Sequence, residues 1–404
     1  MIVRIHKSEI GGEILICPSK SYEQRIWAIS ALMHDNIDVQ NPGNSADVEA
    51  CRNIAKRIKA DDKIFDCGES ALCARMFPPI IALHTDDFYI EGCGTLLRRN
   101  IDRDLKFYED NFGWKISHEG FPIHISNARL TSGNFTIDGS HTSQVITGLI
   151  LALSVVEGDS KLTIENPTSA GYILMSMDAA NNAGAKINYK RNSNSLEIGI
   201  CGNIVFNRKT YEIEGDWSNA AFLIAASLTN GNVSISGLNP ESLQPDRAIL
   251  KVMDLCNAKF EWHEGTLIVS KSDIKQFSFD ATDCPDLIPP LCILALNANG
   301  ECKIKGVDRL VGKESNRLEA ITKELGKLGT KVETDGNIIT IHPLKNISSA
   351  IVDSHNDHRI AMMLSIIGLK SEEMTILGSE CINKSYPEFF DALKSLGAKI
   401  ETKD

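Results

Sequence analysis

Residues 313–317 read Lys-Glu-Ser-Asn-Arg and residues 283–286 read Asp-Cys-Pro-Asp. At the mouth of a helix expected over 318–328, a Lys, a Glu and an Arg within five residues can be a solvated capping turn. Brought beside Asp286 they become an acid, a base and two anion clamps. Residues 18–25, Pro-Ser-Lys-Ser-Tyr-Glu-Gln-Arg, repeat the theme where an apolar strand (14–17) turns into an apolar helix (26–32). The first turn of a helix offers unpaired N–H groups and the positive end of the dipole, so anions bind there. Lys20 adds a full charge and Ser21 a hydroxyl. Arg25, four residues on and so on the same helix face, adds a planar fork suited to carboxylate or phosphate. Similar chemistry recurs at Arg99, at Thr142, Ser143 and Gln144 before a very apolar helix, at Ser169 and Tyr172, at Arg359 within 355–359, and at Lys384. Asp216 reads as a helix cap.

These residues need elements to hold them, and the chain supplies the same element repeatedly. A polar cluster, an apolar helix rich in small residues, a turn and an alternating strand recur six times, with helices expected over 19–32, 69–83, 142–153, 217–228, 284–296 and 356–369. A second marker, glycine or asparagine followed two residues later by lysine, falls at Gly113, Gly184, Asn257, Gly329 and Gly397, at intervals of 71, 73, 72 and 68 residues. A fixed period signals repeated architecture, and this one suits a small α/β repeat of two helices and several strands. Strands are expected at 3–5 and 13–17 before the first helix; this early pair is expected to belong with the C-terminal half. The turn at Gly92-Cys-Gly-Thr95 lacks the third glycine of a dinucleotide fingerprint.

At 404 residues the chain exceeds one core and suits two domains of three repeats each. Apolar content of 43% and charged content of 24% are those of an ordinary globular protein. The first residues carry charges inside their apolar run, and the longest apolar stretch, 145–156, falls short of the ~20 residues a membrane helix needs. A cytoplasmic protein without membrane partners is expected. Eleven scattered cysteines, with no Cys-x-x-Cys, read as reduced core residues, and no metal ligand set stands out. A net charge of −11 argues against nucleic acid, which needs a basic face. The cations that matter are local: converging helix starts would make a positive cleft for a small anion.

Taken together, the motifs resemble the 5-enolpyruvylshikimate-3-phosphate synthase family from Pro18 to Pro387. They match its Pro-x-Ser-Lys-Ser with Arg four residues on, Asp-Gly-Ser-x-Ser-Ser-Gln, Glu-Gly-Asp-x-Ser-x-Ala, Pro-Asp, Lys-Glu-Ser-Asp-Arg, Asn-Asp-His-Arg and Lys-(Ser/Thr)-(Phe/Tyr)-Pro patterns. The resemblance implies an α/β fold of two domains, each of three βαβαββ repeats in an inside-out α/β barrel. The implied domains are 18–214 and 1–17 with 215–404, and the active site lies in the cleft between them. It implies transfer of the enolpyruvyl group of phosphoenolpyruvate to the 5-hydroxyl of shikimate 3-phosphate, without metal or organic cofactor. Carried onto this chain, Glu314 is the proton donor, Asp286 the base, and Lys20 touches both substrates. Shikimate 3-phosphate would meet Ser21, Arg25, Thr142, Ser143, Gln144, Ser169, Tyr172, Asp286, Arg309 and Lys313. Phosphoenolpyruvate would lie against Ala71, Arg99, Gln144, Arg317, Arg359 and Lys384. The acidic surface and two-domain plan suit a monomer.

The chain departs from the family pattern at residues 68–75, Gly-Glu-Ser-Ala-Leu-Cys-Ala-Arg. Glu69 stands for asparagine, Ala71 for glycine and Leu72 for threonine. Glu69 is expected to add negative charge near an anion site, and Ala71 to crowd the phosphoenolpyruvate pocket. In this family alanine there is associated with poor glyphosate binding, so reduced sensitivity is expected. Arg309 stands where many members have asparagine, Asn316 replaces an aspartate, and Thr142 keeps the hydroxyl of a serine. Two other readings remain open. One is the sister enzyme acting on UDP-N-acetylglucosamine, which lacks the Lys-Glu-Ser pattern. The other is a catalytically silent relative that binds a shikimate-type ligand, motivated by residues 69, 71 and 72.

Overall fold

The computed structural model describes residues 1–403, of Asp102 the backbone alone. The periodic marker residues Gly113, Gly184, Asn257, Gly329 and Gly397 share one backbone state, with φ between 57° and 113°. Each follows a helix and admits the left-handed turn that ends it, a conformation glycine adopts freely and asparagine tolerates. The lysine two residues later then leads into an outer strand, as at Lys115–Ile116, Lys259–His263 and Lys399–Lys403. At Gly329 an added Cβ would meet no atom within 4 Å, so Gly329→Ala isolates the backbone term. We expect it to cost about 1–2 kcal/mol, read as a lower urea midpoint; an unchanged midpoint would refute the assignment of this marker.

Between markers the chain builds the same sheet five times. Ile64–Asp66 runs parallel to Asp87–Glu91, which pairs antiparallel with Ile123–Ser126, itself antiparallel to Lys115–Ile116. The parallel, antiparallel, antiparallel order recurs for the sheets centred on Ser160–Glu165, Gly231–Ser236, Cys302–Lys305 and Glu373–Leu377. Parallel neighbours need a crossover, which is a helix in every one of these sheets but that of Gly231–Ser236, and the three repeats contiguous in sequence (64–126, 134–200 and 278–341) read βαβαββ. Two of these sheets recruit the N-terminus: Ile2–His6 pairs with Glu373–Leu377 and Lys399–Lys403, and Ile10–Leu15 with Gly231–Ser236. The copy that contains the helices Lys20–Ala31 and Ala46–Lys59 is reduced to two strands, Asp38–Gln40 and Thr210–Glu212. The sixfold repetition is therefore five full sheets and one abbreviated one.

Contacts divide the chain into two units, Ser19–Ile213 and Met1–Pro18 with Glu214 onward, and each holds its own apolar core. In the second, the helices Trp217–Asn230, Ile288–Leu296 and His358–Gly368 pack on one another and are buried on every face. Helices apolar all round are core helices, and the sheets cover them with one face out, as in the alternating burial of Glu373–Leu377. This is the inside-out plan that the resemblance implies.

Local structure corrects the sequence reading in three places. The helix expected over 69–83 is broken into Ala71–Met76 and Pro78–Ile81, because Pro78 and Pro79 cannot donate to the turn before them. Pro285–Leu287 forms a 3-10 turn ahead of Ile288–Leu296, so Asp286 sits on the turn. The paired strand before the first helix is Ile10–Leu15, and residues 16 and 17 lie beyond it. All eleven cysteines are free thiols, most of them buried. No helix among the described residues is long and apolar enough to cross a membrane.

Candidate active site

Within the unit Ser19–Ile213, helix starts are tied to one another by side chains. Ser19 caps the Lys20–Ala31 helix, its Oγ accepting from the Tyr22 N–H at 3.4 Å, which leaves Ser21 half-buried on the first turn. Lys20 Nζ donates to Asp47 Oδ2 at 2.8 Å, and Asp47 opens the next helix. Arg25 is buried and spans three helices. Its Nε donates to Ser176 Oγ (2.8 Å), Nη1 to the Ser21 carbonyl (2.6 Å), and Nη2 to Thr147 Oγ1 (3.5 Å) and the Tyr172 carbonyl (3.3 Å). The Tyr172 ring lies 5.8 Å from the guanidinium carbon. Burial pulls the pKa of Arg25 down to about 10, so it still carries its charge at neutral pH.

Thr142 and Gln144 are placed by the start of the Gln144–Val155 helix. Thr142 Oγ1 accepts from the Gln144 N–H at 3.1 Å, and Ser143 is the buried cap residue. Gln144 Oε1 accepts from Arg75 Nη1 at 2.9 Å, and Arg75 is anchored to Asp104 at 2.6 Å. That bond orients the amide with its NH2 pointing elsewhere, ready to donate. Ser169, cap of the Ala170–Asn182 helix, is buried with φ 54°, an unusual state for serine that surrounding structure must enforce.

The altered stretch 68–75 is informative. Ala71 is the first residue of its helix and 3% exposed, with Ser70 capping it at Cys73 N. Leu72 packs partly against the core of this unit. Glu69 turns toward the 3-10 helix Gly94–Arg98, where its Oε2 accepts from both the backbone N–H and the hydroxyl of Thr95, each at 2.7 Å. The expected extra carboxylate is thus engaged locally by two hydrogen-bond donors, and it braces the turn that ends at half-buried Arg99.

In the other unit the charges are denser. Asp286 is 19% exposed and faces three cations: Arg317 Nη1 at 2.8 Å, Arg359 Nη2 at 3.1 Å and Lys313 Nζ at 3.3 Å. Burial alone would raise its pKa, but Arg359, Lys313 and Arg317 overcome that and hold it well below the usual carboxylate range. Burial lowers the pKa of Lys313, with Asp286 opposing. Arg317 is the hub. Its Nε and Nη2 grip both oxygens of fully buried Asp357 at 2.9 and 3.1 Å, while Nη2 also reaches Glu314 Oε2 at 2.7 Å and Nη1 takes Asp286. One guanidinium thereby holds Glu314 and Asp286 at a set separation. Lys384 Nζ donates to the Asn356 carbonyl at 3.0 Å, beside Arg359 on the neighbouring turn.

Sequence reasoning singled out Asp286, Glu314, Lys313 and Arg317 together, and the fold assembles them with Arg359. It also reports Asn316 at the start of the Arg317–Lys327 helix, where its side chain accepts from Glu319 N at 3.3 Å, so an asparagine caps as the aspartate would. Asp216 caps the Trp217 helix, accepting from Asn219 N at 2.8 Å. Arg309 is half-buried; burial lowers its pKa and Asp308, Asp283 and Asp286 oppose that. Two residues were missed: the Asn-Asp-His-Arg motif gives Asp357 no role by itself, and Asp47 carries no local signal because its partner Lys20 lies 27 positions away. Among the described residues no group of three His, Cys, Asp or Glu side chains could hold a metal ion.

A profile of the family described as EPSP synthase (3-phosphoshikimate 1-carboxyvinyltransferase) matches residues 52–393. The chain is 34% identical over 424 aligned positions to the 3-phosphoshikimate 1-carboxyvinyltransferase of Clostridium acetobutylicum, covering 98% of each chain. It is 33% identical over 427 positions to that of Clostridium botulinum strain Alaska E43, again covering 98% of each. Among solved structures, an EPSP synthase from Acinetobacter baumannii has a TM-score of 0.79 at 19% identity, covering 99% of this chain and 100% of that one. The enolpyruvyl transferase NikO from Streptomyces tendae has a TM-score of 0.78 at 14% identity, covering 99% of this chain and 98% of that one. Both are likenesses of fold.

Proposed function

The chain belongs to the EPSP synthase (3-phosphoshikimate 1-carboxyvinyltransferase) family, and on that premise we propose which of its residues carry the reaction. The reaction transfers the enolpyruvyl group of phosphoenolpyruvate to the 5-hydroxyl of shikimate 3-phosphate and releases phosphate. The hydroxyl oxygen bonds to C2 of phosphoenolpyruvate while C3 gains a proton. Loss of that proton and of phosphate then restores the double bond. Glu314 delivers the proton to C3 and Asp286 takes the one from the hydroxyl, with Lys20 touching both substrates. The observation that carries this reading is the single Arg317 side chain bonded to both carboxylates, at 2.7 and 2.8 Å, which holds acid and base apart at constant geometry.

A carboxylate gripped by three cations is a poor base. Phosphoenolpyruvate brings competing anions to Arg317, Arg359 and Lys384, and Arg99, Gln144 and Ala71 are its proposed contacts in the unit Ser19–Ile213. Shikimate 3-phosphate brings anions to Arg25 and Lys313, with Ser21, Thr142, Ser143, Gln144, Ser169, Tyr172 and Arg309 around it. As the substrates draw cations away from Asp286 its basicity rises, so the base is armed only when both are bound. The two units serve as the two domains of the enzyme. It acts as a cytoplasmic monomer, consistent with a net charge of −11 that keeps copies apart.

Phosphate release from phosphoenolpyruvate, measured with shikimate 3-phosphate or with UDP-N-acetylglucosamine as acceptor, tests the assignment. Release with the first acceptor alone supports it. Binding of shikimate 3-phosphate without release would make the chain a silent relative. Ala71 gives a second expectation. A methyl group in a tight pocket costs about 1–3 kcal/mol, so the enzyme should resist glyphosate, and Ala71→Gly should lower the inhibitory concentration about tenfold or more. Equal inhibition of both forms would show that Ala71 does not crowd the site.

A further inference from the structure

Asp246 stands beside this site and has no part in the chemistry above. It lies on the 3-10 helix Pro245–Ala248 and is fully buried. One carboxyl oxygen shares a short hydrogen bond with Ser218 Oγ, and the other, Oδ1, has no partner among the described residues. An ionised carboxylate with one oxygen desolvated and unpaired is far costlier than a neutral acid in the same place. The elements around it supply Asp216 and Ser218 from the Trp217 helix, Cys284 and Asp286 from the turn before Ile288, and Arg359 from the His358 helix. The helix that follows, Ile249–Leu255, carries Lys251 and Asp254, both exposed, and Arg247 turns to Glu241 at 3.7 Å. Lys313, Arg317 and Arg359 are already paired with Asp286, Glu314 and Asp357.

We propose that Asp246 is a positioning residue for the enolpyruvyl transfer: as a neutral acid bonded to Ser218 it leaves Arg359 available to phosphoenolpyruvate, and as a carboxylate it competes for that guanidinium. This rests on the reading of Arg359 as a phosphoenolpyruvate contact. Burial, with Asp286 adding to it, pushes the carboxyl of Asp246 up to about 7, against the pull of Arg359 and Ser218. The exchange between its two states therefore falls in the working range of pH. Phosphoenolpyruvate binding, which draws Arg359 away, favours the neutral form further.

The test is steady-state kinetics from pH 6 to 9 for wild type, Asp246→Asn, Ser218→Ala and Arg359→Lys, varying each substrate in turn. Asp246→Asn keeps the shape and stays neutral. The ratio of wild-type to variant KM for phosphoenolpyruvate should be near one at pH 6 and rise to about tenfold at pH 9, one pKa unit of interaction being tenfold. The KM ratio for shikimate 3-phosphate should stay flat. Ser218→Ala removes a donor that favours the ionised form, so the rise should move to higher pH. A ratio that stays flat while Arg359→Lys raises the phosphoenolpyruvate KM would overturn the role of Asp246 and leave the site reading standing. No effect of Arg359→Lys on that KM would overturn the site reading itself. Melting temperatures give an independent check. A carboxyl whose folded pKa lies above its unfolded value loses stability as pH rises between the two. The variant should therefore gain on wild type from about pH 4 to 7 and hold a constant lead above; a pH-independent gap would contradict the proposal.

Discussion

Glu314→Gln should cut turnover by about 10²- to 10⁴-fold, the usual worth of a positioned proton donor, while shikimate 3-phosphate still binds. The glutamine keeps an oxygen for Arg317 Nη2, now 2.7 Å from Glu314, so the hub survives and the loss is one of chemistry. Asp286→Asn should lower kcat comparably, with a different signature. Removing that charge frees Lys313, Arg317 and Arg359 of their shared counter-ion, so the KM for phosphoenolpyruvate should not rise and the anion should bind at least as tightly. Single-turnover phosphate release with calorimetry of each substrate separates the steps. If either variant turns over at the wild-type rate, the acid and base assignment is wrong.

Arg317→Met should damage both stability and activity. The side chain is 1% exposed and its loss leaves Asp357, buried at 0%, without its bidentate partner, and Glu314 and Asp286 without their link. Unpairing a buried charge of this kind costs about 3–5 kcal/mol, where a surface pair would cost a fraction of that. The pH dependence should change with a definite sign. Asp286 has a folded pKa below its unfolded value, so its stabilisation is present above about pH 4 and fades as pH falls through the folded value. Without Arg317 that folded value climbs, and acid unfolding should begin at higher pH. Urea midpoints at pH 7 and an acid titration followed by circular dichroism measure the two effects. A variant that unfolds like wild type in both would show that the hub contributes nothing to the fold.

Much of this architecture is legible locally. The left-handed markers, the capping serines and the aspartate at 216 act over a few residues, so their spacing alone reports the repeat. The errors arose where locality failed. Two prolines broke a helix whose apolar pattern continued through them, and one repeat lost half of its sheet without any change in helix pattern. Glu69 reads as a stray charge until its partner is known to be Thr95, 26 residues away.

By itself, the sequence determined which chemistry is available and where it can stand: cations and hydroxyls at helix starts, an acid and a base near two of them, and a period that brings such starts together in sets of three. Tertiary structure alone decided which group restrains which. Arg25 reaches Ser176 across 151 positions, Arg317 reaches Asp357 across 40, and Lys20 is held by Asp47 across 27. It also decided that Asp246 is buried with one oxygen unpaired. Helix starts and turns follow from short-range sterics and hydrogen bonding, which a sequence displays directly. The pairing of charges follows from how helices pack, and the same packing, by excluding water, determines whether a carboxyl near them carries its charge.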